Sequence, residues 1–225
     1  MVIVISLGGS IIVPNNVDYG FLSNFEKVIK KIAKKNKVVI VTGGGSTARK
    51  YIEPLVRDKA DDKVYSLIGI ATTKLNARLV NGLFGFGERK IPDSLVDVKN
   101  ALRKHNIVVC GALGFKPDMT SDGDAAEIAE YLKADVFLNL TNVDGLFDKD
   151  PKYKDAKLIS MISFDDFYNI AKKIKFKAGQ HFVLDFVAAE IIRKAKIKTI
   201  ILNGRKLKNL ENCLKEKKFV GTIVS

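Results

Sequence analysis

Three clusters of small, hydroxyl and acidic residues in this chain have the composition to handle phosphate. Leu7-Gly8-Gly9-Ser10 and Thr42-Gly43-Gly44-Gly45-Ser46 each place glycines directly after an apolar run, and Thr120-Ser121-Asp122 sets a carboxylate ahead of an alanine-rich run. A glycine loop that feeds a helix presents backbone N–H groups at the positive end of the helix dipole, which suits phosphate oxygens without a desolvated cation. Two facing loops suit a polyphosphate. Arg49, one turn beyond the second loop, can aim a planar guanidinium fork back toward it. Asp122 serves either as a dipole-favouring residue in a helix capped by Thr120 or Ser121, or as a carboxylate orienting a cation around a transferred phosphoryl group.

Two further segments belong to the same chemistry. Thr141-Asn142-Val143-Asp144-Gly145, followed by Phe147 and Asp150-Pro151, offers amide groups and an apolar ring to a purine, although as a turn it needs no function. The 111–122 stretch GALGFKPDMTSD is a long loop between a strand and a helix. Competing phosphate motifs fit less well. Gly43-x-Gly45-x-x-Ala48 satisfies the dinucleotide fingerprint, but the acidic partner expected about 20 residues on falls at Asp61 and Asp62, in a polar stretch that reads as a loop. No GxxxxGK[ST] run is present.

The elements that must carry these loops alternate along the chain. Met1 to Leu7 is a continuous apolar run; Phe21, Leu22, Phe25, Val28, Ile29 and Ile32 share one helical face; Val38 to Val41 is a second buried strand. Helices are expected over 47–55, 64–80, 95–105, 123–133, 165–175 and 185–195, with strands at 107–110, 136–140, 198–202 and 220–224 and one more helix before the last strand. Alternating strands and helices predict a mainly parallel sheet with helices on both faces, an α/β fold of one continuous domain over residues 1–225. In such sheets ligands bind at the carboxyl ends of the strands, where every cluster above falls.

Composition narrows the class further. The 225 residues are 47% apolar, enough for a sizeable core. The uncharged first 17 residues lack a basic leader and the length of a membrane span, so a cytoplasmic protein without a membrane partner is expected. Cys110 and Cys213 form no CxxC pair and read as small buried residues, and His105 and His181 leave no zinc cluster. The net charge of +13 invites a nucleic-acid reading, but the lysines are dispersed along helices, as at Lys27, Lys30, Lys31, Lys34 and Lys35, with no aromatic RNA-binding motif beside them. A solvated basic surface without a nucleic-acid partner is the expectation.

Taken in order, GGS, TGGGS-TAR-KYI, TSD, TNVDGLF-DKDP, Lys177-Ala-Gly179 and the Asp185-x-x-Ala188-Ala189 helix resemble the amino acid kinase family, specifically its archaeal UMP kinase branch, over nearly the whole chain. The resemblance implies a three-layer αβα sandwich, transfer of the ATP γ-phosphoryl group to UMP, Mg²⁺ as cofactor without an assigned ligand set, and a homohexamer. It divides the domain into an N-terminal acceptor-binding part and a C-terminal nucleotide-binding part. It implies ATP contacts at Gly8, Gly9, Ser10, Gly45, Arg49, Thr141, Asn142, Phe147 and Asp150. Acceptor contacts fall at Gly44, Ser66 and the loop Leu113, Gly114, Phe115, Lys116, Pro117, Asp118, Met119 and Thr120, with Arg49, Asp122 and Ser10 as the catalytic set.

The chain also departs from the family pattern. Ser6 and Asp185 stand where many members carry lysines, Ser66 replaces the aspartate that holds the nucleoside, Lys74 replaces an arginine, and the 111–117 loop differs from the usual GGTHPG form. Lysine does not reproduce the bidentate fork of arginine. The drift on the acceptor side raises a sibling phosphate-monoester kinase, for instance one acting on a furanylmethyl phosphate, as an alternative. The missing lysines raise a non-catalytic nucleotide-binding protein.

Overall fold

In the computed structural model, which describes residues 1–116, 119–173 and 183–225, the chain alternates strand and helix as its hydrophobic pattern predicts. The strands are β1 (Val2–Leu7), β2 (Lys37–Thr42), β3 (Ile107–Cys110), β4 (Val136–Thr141), β5 (Met161–Ile162), β6 (Thr199–Asn203) and β7 (Thr222–Val224). They form one sheet in the order β3-β2-β1-β4-β6-β7-β5, parallel throughout except where β6 meets β7. Ile3, Val4, Ile5, Val38, Val39, Ile40, Phe137 and Leu138 are fully buried, as expected of central strands covered on both faces.

The helices are α1 (Gly9–Ile12), α2 (Tyr19–Ile32), α3 (Gly45–Arg57), α4 (Asp62–Leu83), α5 (Leu95–Lys104), α6 (Ser121–Leu132), α7 (Phe164–Lys173), α8 (Phe186–Ala195) and α9 (Leu207–Leu214). α2 packs with α9 and α4, while α6 packs with α5 and α8, and α8 with α7, so the sheet lies between two helical layers.

Three local features differ from the sequence expectation. The LGGS loop passes directly into a four-residue helix, α1, that the hydrophobic pattern does not mark. α3 begins at Gly45 and runs through Pro54 to Arg57, and α4 extends over 22 residues because Asp61 accepts the Lys63 amide at 2.7 Å and caps it. Asp61 and Asp62 therefore open a helix and do not end a strand, which removes the dinucleotide reading. The two-residue β5 had no sequence signal; its ladder with β7 is its support. The expected helix residues 174–175 lie outside the described residues.

The strand order reverses between β1 and β4: the chain leaves β1 toward β2 and β3 on one side and returns to β4 on the other. A crevice opens at such a switch point, beyond the carboxyl ends of the two strands. Leu7 is level with Thr42 on one side and Leu140 on the other, so the loops after β1, β2 and β4 emerge together.

Candidate active site

The two glycine loops pack against each other backbone to backbone. A Cβ on Gly9 would stand 2.0 Å from the Gly45 nitrogen, and one on Gly43 would stand 2.5 Å from the Gly9 nitrogen. Gly45 also adopts φ +67°, the left-handed region that disfavours side chains. The first demand on these glycines is thus the contact between loops, which brings their amides into one place. The Gly8 amide extends the ladder to the Leu140 carbonyl at 3.0 Å, and the Ser46 amide is taken by the Val13 carbonyl at 3.0 Å. The amides of Gly9, Ser10, Gly44, Gly45 and Thr47 have no hydrogen-bond partner among the described residues. They form a cluster of donors suited to phosphate oxygens.

α4 fixes the second loop from behind. The buried Asn76 donates its Nδ2 hydrogens to the carbonyls of Gly43 at 2.7 Å and Gly44 at 3.1 Å. Thr42 Oγ1 donates to the Thr73 carbonyl at 2.8 Å, and Thr73 Oγ1 accepts the Ala112 amide at 2.9 Å. One helix therefore ties the loops after β2 and β3 together. Sequence reasoning missed Asn76; its signal was a carboxamide on the helix face that also carries Thr72, Ala77 and Val80.

A crevice of about 160 Å³ lies at the switch point, lined by Gly8, Ser10, Asp122, Asn139, Thr141 and Asn142 among others. Asp122 sits at its base, in the first turn of α6, which Thr120 caps by accepting the amides of Asp122 at 3.1 Å and Gly123 at 3.5 Å. The capped-helix reading of this residue holds, since it lies in the first turn of α6, and it also lines the crevice. Ser6 Oγ donates to Asp122 Oδ1 at 2.5 Å, so this serine engages the carboxylate. Thr120 Oγ1 also donates to Asp185, whose other oxygen accepts the Ala188 amide at 2.7 Å to cap α8. Burial, and then the nearby Asp185 charge, push the Asp122 carboxyl up to about 7, with the Ser6 hydrogen bond pulling the other way. No lysine or arginine pairs with Asp122 among the described residues. Asn139, also at the base, donates to the Val183 carbonyl and fixes the approach to Asp185.

The remaining candidates divide by location. Arg49 is exposed on α3 with no ion-pair partner among the described residues, free to meet a ligand. Thr141 and Asn142 line the crevice, whereas Phe147 and Asp150 lie outside its lining: Phe147 bridges to Leu158, and Asp150 accepts the Lys152 amide in its own turn at 2.9 Å. The N-terminal part of α4, which carries Ser66, borders the loop after β3, since the Lys63 ammonium stands 5.6 Å from the Phe115 ring centroid. Ser66 Oγ is turned back to the Asp62 carbonyl at 3.0 Å. Lys74 is held by Asp93 at 2.5 Å and Lys116 by Glu127, so neither lysine is a free cation. Leu113 is buried, Gly114 and Thr120 are half-buried, and Met119 packs its sulfur near Gly123. Pro117, Asp118, Lys177 and Gly179 lie outside the described residues. Both cysteines are buried, as their composition suggested, and burial raises the Cys110 and Cys213 thiols.

Comparison with known proteins agrees with this arrangement. The family model described as "Amino acid kinase family" matches residues 1–203. The chain is 38% identical over 208 residues to the uridylate kinase of Methanococcus aeolicus, covering 91% of each chain. It is 36% identical over 228 residues to the uridylate kinase of Archaeoglobus fulgidus, covering 100% of each. The crystal structure of that Archaeoglobus uridylate kinase superimposes with a TM-score of 0.88 over 100% of both chains at 35% identity. The UMP kinase of Bacillus anthracis shares the fold at 20% identity, with a TM-score of 0.82 over 100% of this chain and 95% of that one. Matched by the family model over residues 1–203 and by a full-length relative at 36% identity, the chain belongs to the amino acid kinase family.

Proposed function

We propose that this protein is a UMP kinase that transfers the γ-phosphoryl group of ATP to UMP, giving UDP and ADP in pyrimidine nucleotide synthesis. The observation that carries the reading is the cluster of unpartnered amides from two touching glycine loops beside Asp122, on a chain that matches uridylate kinases from end to end. The crevice between the β1 and β4 loops would take the ATP phosphates through Gly8, Gly9, Ser10 and Gly45, with Thr141 and Asn142 on the nucleotide side and Phe147 and Asp150 farther out. Gly44, Ser66 and the loop from Leu113 to Thr120 would take the acceptor. In this division the N-terminal part of a single domain binds acceptor and the C-terminal part binds nucleotide. A homohexamer in the cytoplasm is the assembly and setting that go with it. No helix among the described residues is long and apolar enough to cross a membrane.

The chemistry asks little of the side chains. A phosphate monoester has a second pKa of about 6, so its attacking oxygen is already anionic at neutral pH and no general base is needed. Catalysis is then in-line positioning and neutralisation of charge. The backbone amides orient the donor phosphates, and Arg49 extends a fork toward them. Ser6 holds the Asp122 carboxylate by a hydrogen bond, and Thr120 caps the helix that carries it.

The donor set fits Mg²⁺, since the Asp122 carboxylate lies near the Asp185 charge with no lysine or arginine partner among the described residues, and a magnesium ion held mostly by nucleotide phosphates needs only one or two carboxylates. When bound, the ion would be held by Asp122 and would offset the negative charge of the phosphates.

A second reading, a sibling kinase for another phosphate monoester, is favoured by one observation: the Ser66 hydroxyl is bonded within its own helix and Lys74 is tied to Asp93, so two acceptor-side groups of the family are absent or occupied. ADP release measured with Mg-ATP against UMP, CMP, AMP, GMP and small aryl or furanylmethyl phosphates separates the two. Preference for UMP upholds the proposal; activity only with another monoester replaces UMP with that acceptor; ATP binding without turnover of any acceptor overturns the enzyme reading.

A further inference from the structure

The turn that ends β6, Asn203-Gly204-Arg205-Lys206, touches both loops that wall the donor crevice, yet lies outside the crevice lining itself. Gly204 donates its amide to the Thr141 carbonyl at 2.9 Å, and a side chain there would strike Ile11 Cδ1 at 2.6 Å and Leu140 Cβ at 2.9 Å. The turn is therefore seated between α1 and the end of β4. On one side Arg205 Nη1 donates to Asp18 Oδ2 at 2.8 Å, and Nη2 reaches the Ser10 carbonyl at 3.5 Å. Asp18 in turn caps α2 through the Phe21 amide at 3.0 Å, and its own amide is held by the Ile12 carbonyl at 2.9 Å. On the other side Asn203 Nδ2 donates to Asp144 Oδ1 at 3.2 Å and to the Asn142 carbonyl at 3.4 Å, and Lys206 pairs with Asp144 at 2.7 Å. Asn203 Oδ1 also accepts the Arg205 amide at 3.1 Å, linking the two arms.

We infer that this turn is a brace that sets the separation of the Gly8–Ser10 and Thr141–Asp144 loops, with Arg205 and Lys206 as positioning residues for the donor nucleotide. The physical reason is leverage. α1 has only four residues, too few to hold a helix by its own hydrogen bonds, and the 142–144 segment has no strand partner of its own. Each loop is kept in place by a charged group of the same turn, so the width of the crevice follows from one rigid segment at the end of a central strand. Asp18 is held in its ionised form by the Phe21 amide first and by Arg205 second, so the arm is charged on both sides at neutral pH. Among the described residues none of these groups bonds to the loop after β3, so the effect is expected on the donor. The inference rests on the donor assignment made above, and not on the identity of the acceptor.

The test compares wild type with Arg205→Gln, Lys206→Gln and the double variant, with Arg205→Lys as the conservative control. Three quantities are read: the KM for ATP, the KM for UMP, and the Kd of a fluorescent ATP analogue without acceptor. Each single Gln variant is expected to raise the ATP KM and the analogue Kd by about five- to tenfold, the loss of one charge-assisted hydrogen bond. UMP KM should stay within about twofold, and Arg205→Lys should recover part of the loss. The double variant should exceed the product of the singles, because both arms fix one spacing. Unchanged ATP parameters, or ATP and UMP KM rising together with a fall in Tm, would overturn the brace. If wild type turns over another acceptor but not UMP, the analogue Kd still reads the inference; a wild type that binds no ATP analogue overturns the inference and the donor assignment together.

Discussion

Replacing Asp122 with asparagine should make the ligand-free protein more stable while it disables the enzyme. Burial and the Asp185 charge raise the Asp122 carboxyl from its ordinary 3.8 to about 7. The folded protein thus binds this proton more tightly than the unfolded chain, so stability falls as pH rises from about 4 to about 7 and the whole cost is present above that. Holding the carboxylate ionised at pH 8 costs about 4 kcal/mol on this basis. Asparagine removes the charge but weakens the Ser6 hydrogen bond, now 2.5 Å to an ionised oxygen, by about 1 kcal/mol. The net expectation at pH 8 is a gain of about 2 to 3 kcal/mol, a rise in Tm of roughly 5 to 10 °C for a chain this long. At pH 5 the wild-type carboxyl is largely protonated and the difference should shrink to less than about 1 kcal/mol. Urea unfolding of both proteins at pH 5, 6, 7 and 8, with kcat measured alongside, gives both halves of the trade. An Asp122→Asn variant that is less stable than wild type at pH 8, or a gain of equal size at pH 5 and pH 8, would refute the claim that an unrelieved buried charge sits at the base of the crevice. Adding Mg-ATP should stabilise wild type more than the variant, since only wild type gains relief of that charge.

Arg49→Ala should lower kcat/KM by about a hundredfold with little change in Tm, because the exposed guanidinium makes no ion pair in the described structure; unchanged turnover would remove it from the catalytic set. Gly9→Ala inserts a methyl group 2.0 Å from the Gly45 nitrogen, backbone that cannot swing aside, and should cost about 3 kcal/mol or more in urea unfolding; an unaffected midpoint would mean the two loops are not in contact. Asn76→Ala leaves the carbonyls of Gly43 and Gly44 without their buried donor, so a loss of about 2 kcal/mol and a raised KM for both substrates are expected from thermal unfolding and initial rates.

Residue pattern alone dictates the alternation of elements, and with it the class of sheet. Runs such as Val2–Leu7 and Lys37–Thr42 are apolar at nearly every position, which only a strand covered on both faces tolerates, and the glycines beyond them mark where backbone must approach backbone or ligand. Gly9, Gly45, Thr120 and Asp122 were legible for that reason: their residue types are demanded by local geometry, and local geometry is written in neighbouring residues. The identity of the partner in each close approach was not. That the Gly9 and Gly43–Gly45 loops press on each other, that Ser6 meets Asp122 across 116 positions, that Asn76 reaches back 32 and 33 residues to the second loop, and that Arg205 spans 187 residues to Asp18 all depend on strand order. Hydrophobic periodicity fixes which face of a strand is buried but says nothing about which strand lies beside it. Only the placement of β1 between β2 and β4 brought the loops after β1 and β4 and the start of α6 to one crevice and put a carboxylate in its lining.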